Sequence, residues 1–440
     1  MSQVQSTDSI NEKFTQDQLD ALVSLHARFL QGRIGGRRAI LKNVDLSDLE
    51  IKHQDLRRVD FTNVKMRKMD LTGTSFQEAS LFACDLSFST LNKASFVRAD
   101  LRGSKIEGAD LERTDLKEAD LREGGLFGQS SQSEATAVNF RGANLTGARL
   151  AGCLANKADF SDAILAQAKI EQADFRNAVL EGADLTGADI QGIQLSGAKL
   201  NHAILTDVDL SEIRDKEAGV DLTRALTSEN IGKSVADLDE PLVKLIEKHR
   251  QWVDSAGKNG LQLDITDIDM RELTTLKQQR LTAIQGRGAK FFGMNLYRVE
   301  MQRAHLEEAD FRRCDLESAD FRGAILEKAR FNHANLQNTD FSSLVFGGDA
   351  KRFASAILDE TVFRYCDLRG ANFKNASLQY ADLSYTDLSG ADFTGADLTG
   401  AILDKAQTED AIMDNAKMDN VERGRAFSLN KLKANPDEDH

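Results

Sequence analysis

Large apolar residues recur at every fifth position along most of this chain. From Leu41 the phase passes through Leu46, Ile51, Leu56 and Phe61 and holds to Leu121. Two residues ahead of each large side chain sits a small one. Ser104, Ala109, Thr114 and Ala119 stand in this way before Ile106, Leu111, Leu116 and Leu121. The run breaks over 127–137, resumes in a new phase at Phe140 and continues to Leu210, with Ala155 a weak member. A third run spans 276–346, irregular at Gly286, and a fourth spans 358–418, irregular at Thr408.

A period of five suits neither an α-helix nor a flat strand, whose periods are about 3.6 and 2. It suits a chain that turns a corner every five residues. Four such sides would close a square coil of about twenty residues, and coils stacked ~4.8 Å apart would pair their backbone groups with the coils above and below. The large residue and the small one would both point inward. The other three positions would face solvent, and they carry Asp, Arg, Glu, Lys, Asn, Ser and Gly.

Ala183-Asp184-Leu185, Ala381-Asp382-Leu383, Ala391-Asp392-Phe393 and Ala396-Asp397-Leu398 show the densest form of the unit. It resembles the pentapeptide-repeat family, with its consensus of Ala, then Asp or Asn, then Leu and two free positions, over about two thirds of the chain. The resemblance implies an all-β solenoid, a right-handed quadrilateral β-helix. The handedness comes from the resemblance alone.

Two segments keep a helical period instead: Leu19, Leu22, Leu25 and Phe29, and Leu242, Leu245, Ile246 and Trp252. Each carries a histidine, His26 or His249, and ends in a glycine-containing stop, as helix C-termini do. Each then leads into a repeat run, so that Val44-Asp45-Leu46 aligns with Ile268-Asp269-Met270. The pattern predicts two duplicated halves, 15–215 and 238–425, each opening with a capping α-helix that covers the unpaired edge and apolar end of the first coil. In full, 1–14 is expected to be disordered. Helices are expected in 15–36 and 238–260, solenoids in 37–215 and 261–425, and a break in the second solenoid at 347–355. A linker with a short helix near 223–229 would fill 216–237, and a disordered tail 426–440.

Charge and composition narrow the chemistry. Asp and Glu number 70 against 56 Lys and Arg, a net charge of −14 that opposes general adhesion to nucleic acid or anionic lipid. Neither a membrane span of about 20 apolar residues nor a signal-peptide pattern is visible, so a cytoplasmic protein is expected. Cys84, Cys153, Cys314 and Cys366 all occupy the small inward position and read as reduced core residues. The seven histidines are scattered, and neither phosphate loops nor nucleophile elbows occur. The expectation is a protein without catalytic residues, metal or cofactor.

What remains is surface. Residues 33–68 hold ten basic and five acidic side chains, residues 271–303 seven and two, and residues 359–420 five and twelve. The basic openings offer Arg57, Arg58, Arg67, Lys68, Arg298 and Arg303 to an anionic partner, or else simply form a solvated face. Tyr365, Tyr380 and Tyr385 are outward. The first and last, twenty apart, would stack, either as an interface or as wall reinforcement. The 127–137 loop is a third contact candidate. These features point to a non-enzymatic protein–protein interaction scaffold with an unidentified protein partner, neither spanning membranes nor binding nucleic acid directly, and of open oligomeric state. The alternative is a DNA mimic. Some members of the family that this chain resembles bind DNA gyrase, a topoisomerase, and the acidic 359–420 wall permits that reading.

Overall fold

The computed structural model describes residues 12–125, 136–211, 213, 219–346 and 352–423. It divides into two units that meet at Asn230 and Ile231. In each unit the residue before the large one pairs in parallel with the residue twenty positions on: Asp60 with Ser80, Ser80 with Asp100, Asp100 with Asp120. Four repeats therefore make one turn of a parallel β solenoid.

The hydrogen bonds explain the period. Leu101 donates its N–H to Asp120 in the next coil (2.9 Å), and Asp100 donates back to Ala79 in the preceding one (2.9 Å). Between these ladders the chain bends through a β-turn, as where the Ala79 N–H reaches the Phe76 carbonyl at 3.0 Å. The second residue after the large one takes positive φ almost throughout, glycine or not: Gly73 at +66°, Lys93 at +58°, Tyr380 at +58°. A turn of type II demands that sign at this position. For a non-glycine residue it costs about 1–2 kcal/mol, offset by the ladder bond its own N–H makes, Tyr380 to Thr399 at 2.9 Å among them.

Inward positions are filled. Leu71, Phe76, Leu81, Leu86 and Leu91 are fully buried, with Thr74, Cys84 and Ser89 beside them. Most of the polar members donate to the carbonyl of a large residue in the preceding coil, though among the described residues Ser104 Oγ has no partner and Thr386 Oγ1 turns to Leu383 of its own coil. Thr74 Oγ1 donates to Ile51 (2.6 Å), Ser89 Oγ to Met66 (2.6 Å) and Cys314 Sγ to Phe291 (3.0 Å). In the second unit two columns of stacked phenylalanines run along the core, Phe291–Phe311–Phe331–Phe363 and Phe321–Phe341–Phe373–Phe393. Their ring centroids lie 4.7–5.3 Å apart, and the columns meet edge to face.

Both units open alike. In the first, β1 (Glu12–Lys13) pairs in parallel with β3 (Val44–Asp45), and the helix α1 (Gln16–Leu30) follows β1. In the second, β7 (Lys233–Ser234) pairs with β8 (Ile268–Asp269), and α2 (Leu242–Asp254) lies between them in sequence. Helix α1 starts at Thr15, whose side chain and that of Gln18 form a reciprocal capping box. Its polar side chains meet the first coil: Gln16 Nε2 donates to the Glu50 carbonyl (2.9 Å), and the Glu50 N–H donates to Gln16 Oε1 (3.1 Å).

Two expectations fail at their edges. Residues 12–14 are not disordered, because β1 and the Phe14 N–H bond to the 44–45 segment. Residues 219–237 of the expected 216–237 linker are not a free linker, and 223–229 is not helical; 216–218 lie outside the described residues. β6 (Leu226–Thr227) pairs with β5 (Ile204–Leu205), and Asp221 bridges Lys199, so 219–230 winds on as a coil of the first unit while β7 already belongs to the second. Its charge disguised a coil whose inward residues, Ala225 among them, are ordinary. Both interruptions are excursions from a corner. Gly124 and Thr136 bridge antiparallel, and the ladder resumes from Lys105 to Asn139. β9 (Leu344–Phe346) and β10 (Arg352–Ala354) form a hairpin, and Ile325 pairs with Ile357. Residues 1–11, 127–135 of the expected loop, 347–351 of the expected break and the tail 426–440 lie outside the described residues.

Candidate functional site

All nine candidate residues stand at the corners. Arg57 and Arg67 occupy the first turn position, directly after the large residue. Arg58, Lys68, Arg298, Arg303, Tyr365, Tyr380 and Tyr385 occupy the second, with φ between +52° and +65°. A corner residue is followed twenty positions later by the corner residue of the next coil, so these side chains form columns along each unit.

The columns are not electrically alike. Where the repeat reads Asp-large-Arg, the carboxylate takes the arginine's backbone N–H and its guanidinium together. At Arg102 the three bonds to Asp100 are 3.1, 2.9 and 2.7 Å. Arg122, Arg176, Arg322 and Arg369 repeat the clip, and so does Arg57 on Asp55, at 2.8 and 2.7 Å from the guanidinium. That bidentate bond holds the Asp55 carboxyl below its usual pKa and raises Arg57. Thr or Ser replaces Arg elsewhere: Thr186 Oγ1 donates to Asp184 at 2.6 Å. Charge is thus cancelled inside each Asp-large-Arg repeat, whereas the Thr and Ser repeats orient the carboxylate and leave its negative charge on the wall.

Its neighbour Arg58 differs. Among the described residues neither Arg58 nor Lys68 forms an ion pair. Arg67 lies 3.9 Å from Asp85 and 5.9 Å from the Phe88 ring centre. Arg298 lies over Tyr297 at 5.1 Å and Arg303 over Phe346 of β9 at 4.9 Å. The opening arginines therefore fall into a clipped one, Arg57, and others free or resting on aromatic faces.

Tyr365 and Tyr385 stack at 4.7 Å with planes 11° apart. The stack is longer than the sequence suggested. His333 lies against Tyr365 at 5.1 Å, and Lys405 caps Tyr385, its Nζ 4.7 Å from the ring centre and 3.1 Å from the hydroxyl. Lys405 was visible as twenty past Tyr385. His333 was hidden because the β9–β10 excursion shifts the numbering. Tyr380 belongs to another column, is 63% exposed and leans over Gly400.

Other titratable groups are structural. His26 is fully buried, with Nε2 3.0 Å from the Arg57 carbonyl and Nδ1 accepting the Ala39 N–H at 3.1 Å. His249 accepts the Leu263 N–H at 3.0 Å in the same manner. Burial lowers the pKa of both rings. All four cysteines are buried free thiols, and burial pushes Cys84 up to about 12 and the others higher still. Among the described residues no three His, Cys, Asp or Glu side chains gather as metal ligands, and no helix is long and apolar enough to cross a membrane.

A parallel solenoid of five-residue units, with one large and one small inward residue in each, defines a repeat protein of the β-helix class. The model of the pentapeptide repeats family matches residues 39–78, 79–117, 136–172, 163–201, 178–214, 287–323, 304–342, 356–395 and 391–422, more than half of the sequence, and the chain belongs to that family. A comparison with curated proteins finds no match. Among solved structures it is similar to QnrB1, a plasmid-mediated fluoroquinolone resistance protein, with 20% identity over 43% of this chain and 90% of that one and a TM-score of 0.23. HetL of the cyanobacterium Nostoc sp. strain PCC 7120, involved in heterocyst differentiation regulation, shares 18% identity over 90% of this chain and 93% of its own, with a TM-score of 0.16. Rfr23 of the cyanobacterium Cyanothece 51142 shares 27% over 29% and 88%, with a TM-score of 0.18.

Proposed function

We propose that each unit is a right-handed quadrilateral β-helix capped by its opening helix, and that the protein is a non-enzymatic cytoplasmic scaffold whose corner columns bind a protein partner. The observation that carries this reading is the division of labour within the repeat. Inward residues fill the core, the Asp-centred clips hold the arginines of the Asp-large-Arg repeats, and corner side chains such as Arg58, Lys68 and Tyr380 are left over. A rigid column of that kind presents contacts without an ordering cost. The Gln16–Glu50 and His26–Arg57 bonds support the cap, because they satisfy edge groups of the first coil that would otherwise be unpaired. The parallel openings at β1–β3 and β7–β8 support a duplication.

The test uses the full chain as bait, alongside Arg58→Glu/Lys68→Glu, Arg298→Glu/Arg303→Glu and Tyr380→Ser variants, with captured proteins identified by mass spectrometry. Loss of a specific partner from one variant, at unchanged melting temperature, supports the columns as the binding surface. A partner set identical across all three removes that reading. A supercoiling assay with purified gyrase decides the alternative: inhibition that Asp→Asn changes in 359–420 abolish would make the acidic wall a DNA mimic instead.

A further inference from the structure

The turn that follows α1, Arg33-Ile34-Gly35-Gly36-Arg37-Arg38, plays no part in that wall-binding reading. It is held rigidly. The Arg33 N–H donates to the Arg28 carbonyl (2.9 Å), Gly36 to Arg33 (3.1 Å) and Arg37 to Leu25 (3.0 Å). Gly36 packs so closely on the Phe29 backbone that a Cβ would collide with it. At the tip Ile34 is 101% exposed, so a fixed backbone thrusts an aliphatic side chain wholly into water. The chain then enters β2 (Ile40–Lys42), where Ala39 and Leu41 are buried and alternation turns Arg38, Ile40 and Lys42 outward, Ile40 at 53% exposure.

Two exposed isoleucines are thus each flanked by cations. Among the described residues none of Arg33, Arg37, Arg38 and Lys42 forms an ion pair. Asp60 lies in register beside Ile40 and is the acid nearest in the ladder. Arg38 instead donates through Nε to the Arg58 carbonyl (2.6 Å), which ties the turn to the unpaired Arg58 corner. On a molecule of net charge −14 whose other arginines are so often clipped, this is a local reversal.

The second unit supplies the comparison. Its corresponding turn after α2 closes on itself, with Ser255 Oγ bonded to Asn259, and carries a single cation, Lys258, and an apolar Leu261 that is only 57% exposed. Arg280 nearby is held by Asp254 (3.0 Å) and Glu300 (3.5 Å). Docking the helix therefore requires neither a cluster of free arginines nor an aliphatic tip wholly in water.

We propose that this end of the first unit docks on an anionic lipid surface, with Ile34 entering the headgroup region while Arg33, Arg37, Arg38 and Lys42 meet lipid phosphates. Cations surrounding an aliphatic tip suit an interface that is charged outside and apolar within. A nucleic acid would use stacking platforms, and the turn offers none.

The test is co-sedimentation of the full chain with phosphatidylcholine vesicles, with and without phosphatidylglycerol. The expected result is binding only to the anionic vesicles, weakened by salt. Each basic side chain near such a surface is worth about fivefold in affinity, so Arg33→Gln/Arg37→Gln/Arg38→Gln loses about a hundredfold. Ile34→Asn loses up to about tenfold. Arg113→Gln, on a wall away from the turn, binds as the parent does. The substituted side chains are exposed, and an unchanged circular dichroism melt verifies folding. Absence of binding to anionic vesicles at low salt overturns the proposal. So does equal binding by the triple variant, and so does single-stranded RNA displacing the vesicles while Ile34→Asn retains full vesicle affinity.

Discussion

Truncating Phe311 tests whether the core is the filled, nearest-neighbour column described above. Its ring is fully buried and lies between Phe291 at 4.7 Å and Phe331 at 4.9 Å, both nearly parallel to it, with the edge of Phe321 at 5.8 Å. Phe→Ala in a core costs about 3–5 kcal/mol, and each aromatic pair adds about 0.5–1.5 kcal/mol beyond area burial. The site cannot collapse, because the Phe311 N–H is pinned to the Arg330 carbonyl at 2.7 Å and Asp310 to Ala289 at 2.9 Å. The expected loss is therefore at the top of the range, about 5 kcal/mol. Phe311→Leu, which copies the leucines at the same position in adjacent repeats, should cost about 1–2 kcal/mol. Urea unfolding followed by fluorescence of the single tryptophan, Trp252 in α2, reads the second unit without labelling. Paired with Phe331→Ala, the substitution should be non-additive by about 0.5 kcal/mol or more. Paired with Phe393→Ala, several coils away, it should be additive within about 0.5 kcal/mol, as stacked repeats in contact only with their neighbours require. A loss below about 1 kcal/mol, or equal coupling to both partners, would refute the filled column.

Three further outcomes are expected. Burial holds the His26 ring below the usual histidine pKa, against the pull of the Arg57 carbonyl, so the neutral ring favours the folded state. That contribution is whole above the unfolded value and is lost as pH falls through the folded one, so the melting temperature should drop as the pH is lowered below about 6.5. His26→Gln/His249→Gln should flatten the slope, and an unaltered slope would show the proton goes elsewhere. None of the four thiols should react with Ellman's reagent in the native protein and all four should react in denaturant; a native thiol titrating at neutral pH contradicts their burial. Gly400, at φ +70°, has the Tyr380 ring 2.5 Å from where a Cβ would stand. Gly400→Ala should then destabilise by about 1–2 kcal/mol, and Tyr380→Ala should restore the part due to the clash. Failure of the second change to help in a thermal melt would assign the whole loss to φ.

The five-residue pattern made the core legible because inward residues have one solution, large at the centre and small beside it. Corners were illegible for the opposite reason. Positive φ falls on Lys93, Phe88, Glu118 and Tyr380 as readily as on Gly73, since the ladder bond offsets the strain whatever the side chain. Glycine marks only part of these positions, so composition does not find the rest. Segment 216–237 looks like a linker in the sequence because its outward charge, which says nothing of winding, outweighs a few inward residues such as Ala225. Counting charge also misjudges the basic opening. Arg57 and Arg58 are adjacent and identical in a tally, but the first is clipped to Asp55 and the second is not.

That contrast bears on how such a solenoid acquires a specific surface. Asp-large-Arg repeats neutralise themselves, so they can be added or lost without altering the field around the column, whereas each Asp-large-Thr repeat orients its carboxylate but keeps the negative charge. Specificity then rests on departures from the rule: a cation with no carboxylate two residues before it, an aromatic ring at a corner, an aliphatic residue on a rigid turn. Arg58, Lys68, Tyr380 and Ile34 are such departures; the first three are held by their own backbone bonds and Ile34 by those of Arg33 and Gly36 on either side, none of which depends on the side chain. Substituting them should therefore change binding while leaving stability nearly untouched, whereas substituting Asp55 or Asp100 should do the reverse.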